Sequence, residues 1–105
     1  MRRAIVSVIL ASVVLGVPVA PQAGAAVGAR VKAKDNFFQP QRVVIQVGEK
    51  VKWTNVGEND HTVTGSGFSE RLTPGEVFRH RFNAMGVFRY RCRIHDGMKG
   101  KVVVQ

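Results

Sequence analysis

The chain has 105 residues, 16 Lys and Arg against 7 Asp and Glu, a formal net charge of +9 and a single Cys. One Cys excludes an internal disulfide framework, and the length suits one small domain. The excess of positive charge points to acidic partners or anionic surfaces. No nucleic-acid motif and no platform of interleaved aromatic and basic side chains is present, so nucleic acid is set aside.

Residues 1–26 read as a secretory leader. Met1-Arg2-Arg3 is a cationic head, Ala4 through Val17 is apolar and uncharged, and Pro18 leads to the small-residue tail Ala23-Gly24-Ala25-Ala26. Cleavage is expected after Ala25 or Ala26. The apolar run is shorter than the ~20 residues a membrane span needs, and the only Cys, at position 92, cannot carry a lipid at the cleavage point. The Arg2-Arg3 pair fits the twin-arginine route. The expected product is an exported domain, residues 27–105, periplasmic or secreted, with no membrane span and with a charge of +7 once Arg2 and Arg3 are gone. A lone thiol in an oxidising compartment calls for an occupant, and a metal would also stabilise so small a fold.

The mature chain reads as short strands between turn signals, with no helical period. Ala29–Lys34 is the first strand, after a flexible Val27-Gly28; the Asp35-Asn36 turn and Phe37-Phe38-Gln39-Pro40 follow. Arg42–Val47 is rich in β-branched residues and stops at Gly48-Glu49. Lys50–Asn55 sets Val51, Trp53 and Asn55 against Lys50, Lys52 and Thr54. His61–Thr64 ends at Gly65-Ser66-Gly67, and Thr73-Pro74-Gly75-Glu76 turns into Val77–Phe82. Asn83–Gly86 turns into Val87–Cys92, and Gly100–Gln105 closes the domain. Seven to eight short strands at this spacing predict an all-β fold, a Greek-key antiparallel β-sandwich.

Alternation aims the chemistry. Phe88, Tyr90 and Cys92 share one face of their strand and Arg89 and Arg91 the other, so the aromatic face is the core face and Cys92 arrives at its interior end. Phe78, His80 and Phe82 likewise point inward from Arg79 and Arg81. Immediately downstream, Cys92-Arg93-Ile94-His95-Asp96-Gly97-Met98 offers a thiol, an imidazole and a thioether at three-residue spacing. These soft and borderline donors suit copper, and two His with one Cys and a long axial Met form the blue-copper electron-transfer site. The loop holds one His; His61 is the expected second. His80 is read as a hydrogen-bonded core or near-surface residue outside the site.

These motifs resemble a known family. Phe38-x-Pro40, Val47-Gly48-x-x-Val51-x-Trp53-x-Asn55, His61, Pro74-Gly75 and the block Gly86 to Val104 with Cys92-x-x-His95-x-x-Met98 are similar to the type 1 copper proteins of the plastocyanin/azurin group, the cupredoxins. The short His-to-Met interval is amicyanin-like. The resemblance implies a cupredoxin-like sandwich with one type 1 copper ion per chain. It makes His61, Cys92 and His95 the equatorial ligands and Met98 the axial one. Thr62 stands where many members carry Asn, and Ile94, Asp96 and Gly97 replace the proline and aromatic around the amicyanin loop His.

The implied function is single-electron transport between a redox donor and acceptor, such as a c-type cytochrome or a dehydrogenase, by a monomer that is not an enzyme. A periplasmic copper carrier or storage protein with the same ligands is the alternative. Arg79, Arg81, Arg89 and Arg91 on outward strand positions, with Arg93, Lys99 and Lys101 beside the loop, lead to the expectation of a locally acidic partner.

Overall fold

The computed structural model describes residues 26–105; the leader expected at residues 1–26 lies, but for Ala26, outside the described residues. Nine strands form two sheets: β1 Val27–Lys34, β2 Phe37–Gln39, β3 Arg42–Ile45, β4 Lys50–Asn55, β5 His61–Gly65, β6 Phe68–Leu72, β7 Val77–Arg81, β8 Gly86–Arg91 and β9 Lys99–Val104. The first sheet has the order β2-β1-β4-β7 and the second β3-β9-β8-β5-β6. No helix occurs among the described residues. The expected all-β sandwich is the fold.

Period-2 alternation builds it. In β4 the residues Val51, Trp53 and Asn55 are buried while Lys50, Lys52 and Thr54 are half-buried on the other face. Val31 and Ala33 of β1 continue this inner face beside β4, and Val63 of β5, Tyr90 of β8, and Val102 and Val104 of β9 face it from the second sheet. Trp53 is fully buried, with its ring 5.6 Å from Phe78 and 5.2 Å from Tyr90 between ring centres. Emptying such a position costs about 3–5 kcal/mol.

The structure corrects four expectations. Two pairings are parallel, β1 with β4 and β3 with β9. Parallel neighbours need a long crossover, and the excursion through β2 and β3 provides it for the first pair. β6 was missed because Ser69, Glu70 and Arg71 are exposed; it is the edge of its sheet, where only Phe68 and Leu72 reach inward. Val27-Gly28 is part of β1, paired at Val27 with Lys50 and irregular in register before Ala29. Finally, Arg79 and Arg81 belong to the first sheet and Arg89 and Arg91 to the second. The two arginine rows therefore lie on opposite outer faces of the sandwich.

The two ends of the sandwich differ. At one end Ala26 O accepts from Lys50 N, while Gln105 N donates to Ile45 O and its carbonyl accepts from Val47 N. At the other end β1, β4 and β8 finish and β5 and β9 begin. The candidate site residues gather there.

Candidate metal centre

Three elements meet at that end. β8 runs into Cys92, which is 4 % exposed. His61 opens β5 and is fully buried. His95 lies half-buried on the loop between β8 and β9, and Met98, 1 % exposed, closes it. Two backbone hydrogen bonds tie this loop: Cys92 N donates to Met98 O (2.8 Å) and Met98 N to His95 O (3.3 Å). Gly97 takes φ +79°, a left-handed conformation that suits Gly and permits the tight return to Met98.

The donor atoms converge. Cys92 Sγ is 3.6 Å from His95 Nδ1 and 3.9 Å from His61 Nδ1, and one donor atom from each of the three residues lies within 4.8 Å of the others. The two imidazoles approach to 4.9 Å between ring centres. A thiol and two imidazole nitrogens facing one point form a soft, compact donor set, the kind that holds copper.

A ring of hydrogen bonds fixes these groups. Burial alone would raise the Cys92 thiol, but N–H groups from Thr62 and Ile94, each 3.4 Å from Sγ, and the imidazole of His95 outweigh it. The thiol falls from 9.0 to about 6. The Thr62 N–H thus donates to sulfur. Its side chain bridges as well: Thr62 Oγ1 accepts from Arg93 N at 2.7 Å and from Thr64 Oγ1 at 3.1 Å, which pins the start of the loop to β5.

Asp35 is the component that sequence reasoning missed. Its Oδ1 lies 3.0 Å from His61 Nε2. An ionised carboxylate only accepts, so His61 carries its proton on Nε2 and turns the Nδ1 lone pair toward Cys92. Asp35 also accepts from Glu58 N and Asn59 N. The Glu58 amide foremost, then His61, hold its carboxyl below the usual value. Gly57 makes this approach possible, since a Cβ there would collide with Asp35 Oδ1. Asn55, buried in β4, anchors the same segment: its amide donates to Asn59 O and Leu72 O and its Oδ1 accepts from Gly57 N. Asp35 and Asn36 carry only a turn signal in the sequence, and nothing there links Asp35 to a His 26 positions later.

His80 lies elsewhere. Its ring centre lies 4.5 Å from that of Phe68, in a tilted contact, and 4.8 Å from that of Phe82, edge-on, in an aromatic cluster that also includes Phe78. Burial lowers its pKa.

Residues 5–104 match the family model described as a cupredoxin-like domain. Amicyanin-alpha of Methylorubrum extorquens is 34 % identical over 103 residues, covering 90 % of this chain and 87 % of that protein. Plastocyanin of Scenedesmus fuscus is 33 % identical over 85 residues, covering 65 % and 86 %. Among solved structures, a purple cupredoxin from Nitrosopumilus maritimus superposes with a TM-score of 0.68 at 29 % identity, over 73 % of this chain and 99 % of that one. Amicyanin from Paracoccus versutus gives 0.67 at 27 %, over 74 % and 81 %.

Proposed function

The chain belongs to the cupredoxin-like domain family, and from that premise we propose that it is a small blue copper protein carrying single electrons between redox partners. The observation that carries this reading is the convergence of His61 Nδ1, Cys92 Sγ and His95 Nδ1 at one buried point. His61, Cys92 and His95 would be the three strong ligands of a bound copper ion, and Met98 a weaker fourth. Copper, when bound there, supplies a one-electron couple.

The protein's own contribution is rigidity and seclusion. The fully buried His61 is held by Asp35, the sulfur by two amides, and the loop by its closure between Cys92 and Met98. Groups fixed this firmly favour little change of shape between oxidation states. His95 is the most exposed of the four, so its side chain faces a docked partner. These features favour a carrier over an enzyme.

Beside the loop, the outer face of the second sheet is basic. Arg42, Lys101 and Arg89 stand in one row across β3, β9 and β8, and Lys99 opposes Arg91 in the next. A hollow of about 430 Å³ opens among Arg42, Arg89, Lys99 and Lys101. This is the side on which an acidic donor or acceptor, such as a cytochrome or a dehydrogenase, is expected to dock. Export rests on the leader pattern of residues 1–26, and amino-terminal sequencing of the mature protein tests it.

Adding Cu(II) to the metal-free protein should give an intense blue colour at one equivalent, bleached by reductant, with reversible voltammetry. Cys92→Ala should remove the charge-transfer band. A Cys92→Ala protein that stays blue refutes the assignment. Rapid surrender of copper to a weak chelator would favour a copper-delivery role instead.

A further inference from the structure

The outer face of the first sheet is a second basic surface, distinct from the metal centre. In its central row Arg30, Lys52 and Arg79 stand directly opposite one another across β1, β4 and β7, and Lys50 faces Arg81 in the adjoining row. Lys32 and Lys34 extend the charge along β1 on the same side. None of the chain's 7 Asp and Glu lies on β1, β2, β4 or β7. Arg30, Lys32, Lys34, Lys50, Lys52 and Arg79 take part in none of the ion pairs found among the described residues.

Like charges directly opposite on a sheet destabilise the pair. Here that repulsion runs along the central row of Arg30, Lys52 and Arg79, with no acid on any of the four strands to relieve it, so an extended negative surface against the face is what would offset it. We propose that this face docks onto an anionic phospholipid bilayer.

The composition of the face separates a bilayer from a protein partner. Protein-binding patches are built around an apolar or aromatic centre with a polar rim. This face is the reverse: its centre is Lys52 and its apolar side chains sit at the margins, whereas on the second sheet Val44, Val103 and Val87 form an apolar row beside the basic one, with Val44 and Val87 exposed. Val77 lies on the edge strand β7, and Phe37 on the edge strand β2 is 48 % exposed, with Lys34 Nζ 5.8 Å above its ring. A marginal aromatic beside a cation suits the headgroup level of a membrane. The plane is roughly 20 by 10 Å from strand length and spacing, and its flexible cations can each meet a mobile headgroup. A chain so bound leaves the basic face of the second sheet, and His95 with it, open.

The proposal stands whatever metal the centre holds. Sedimentation of the purified protein with phosphatidylcholine vesicles, with and without one third phosphatidylglycerol, tests it. Binding is expected only with phosphatidylglycerol, and it should weaken as salt screens the charges. The triple variant Lys32→Glu/Lys52→Glu/Arg79→Glu should lower partitioning by at least about a hundredfold. Lys32→Gln/Lys52→Gln/Arg79→Gln should give a smaller loss, with an unchanged circular dichroism spectrum excluding misfolding. Reversing Arg42, Arg89 and Lys101 on the second sheet should cost far less.

Failure to bind phosphatidylglycerol vesicles overturns the proposal. Equal losses from the two sheets overturn it too, because only net charge would then be read. So does a first-sheet reversal that spares vesicle binding but abolishes binding of a soluble acidic cytochrome, which would make the occupant a protein.

Discussion

In the metal-free protein, the thiol of Cys92 should act as an acid near pH 6, and fold stability should record it. Burial opposes this, but the Thr62 and Ile94 amides and the His95 ring stabilise the thiolate and bring the thiol from 9.0 to about 6. Three units correspond to about 4 kcal/mol, a large part of the 5–15 kcal/mol that holds a typical domain together. A depressed folded pKa adds stability that is complete above pH 9 and is lost as pH falls toward 6. Between these limits the unfolded chain binds the extra proton, and stability rises by about 1.4 kcal/mol per pH unit. Urea denaturation of the reduced, chelator-treated protein from pH 5 to 10, with Cys92→Ala in parallel, isolates the effect from other titrating groups. The difference between the two should grow by about 4 kcal/mol from pH 6 to 9, and thiolate absorbance near 240 nm should show a midpoint near 6. Parallel stability curves, or a midpoint near 9, would refute the claim that the surrounding donors overcome burial.

Asp35→Ala should weaken metal affinity by about 10–100-fold, and Asp35→Asn should largely restore it while raising the reduction potential, because the hydrogen bond returns without its charge. Nitrogen NMR of the metal-free protein should show the His61 proton on Nε2 in the wild type and a mixed tautomer in Asp35→Ala. His80→Phe should leave the blue spectrum unchanged; because burial lowers the His80 pKa, the wild type should lose stability relative to this variant as pH falls below about 6.5, measured by urea denaturation. Met98→Gln should keep the metal and shift its potential in voltammetry. Arg89→Glu/Arg91→Glu should slow stopped-flow electron transfer to an acidic cytochrome and flatten its dependence on ionic strength.

The parts that sequence made legible are those in which the signal is local. Cys92, His95 and Met98 lie within seven residues, and the inward parity of Phe88, Tyr90 and Cys92 follows from the exclusion of Arg89 and Arg91 from an apolar core. His61 was reachable because few histidines compete with it. Asp35 was not: its partner is 26 residues away, and an Asp-Asn pair between strands reads only as a turn. The same limit hid which sheet each arginine-bearing strand joins. Alternation tells that Arg79 and Arg89 point outward, but only the β4–β7 and β8–β9 pairings put them on opposite faces. β6 escaped because an edge strand has little need for an apolar face over Ser69, Glu70 and Arg71.

The hydrogen bonds of Ala26 and Gln105 around residues 45–50 bear on how the molecule can be handled. β4 runs from that end to the metal centre, a distance of roughly 20 Å at strand rise. A linker, fluorophore or surface tether added after Gln105 would therefore emerge at the opposite pole from His95. Immobilised by that end on an electrode coated with a neutral monolayer, the molecules would present His95 to solution rather than to the support. Direct electron exchange with the electrode should then be slow, while exchange with a dissolved partner stays fast. A tether placed instead beside the loop, at Asp96, should invert the two.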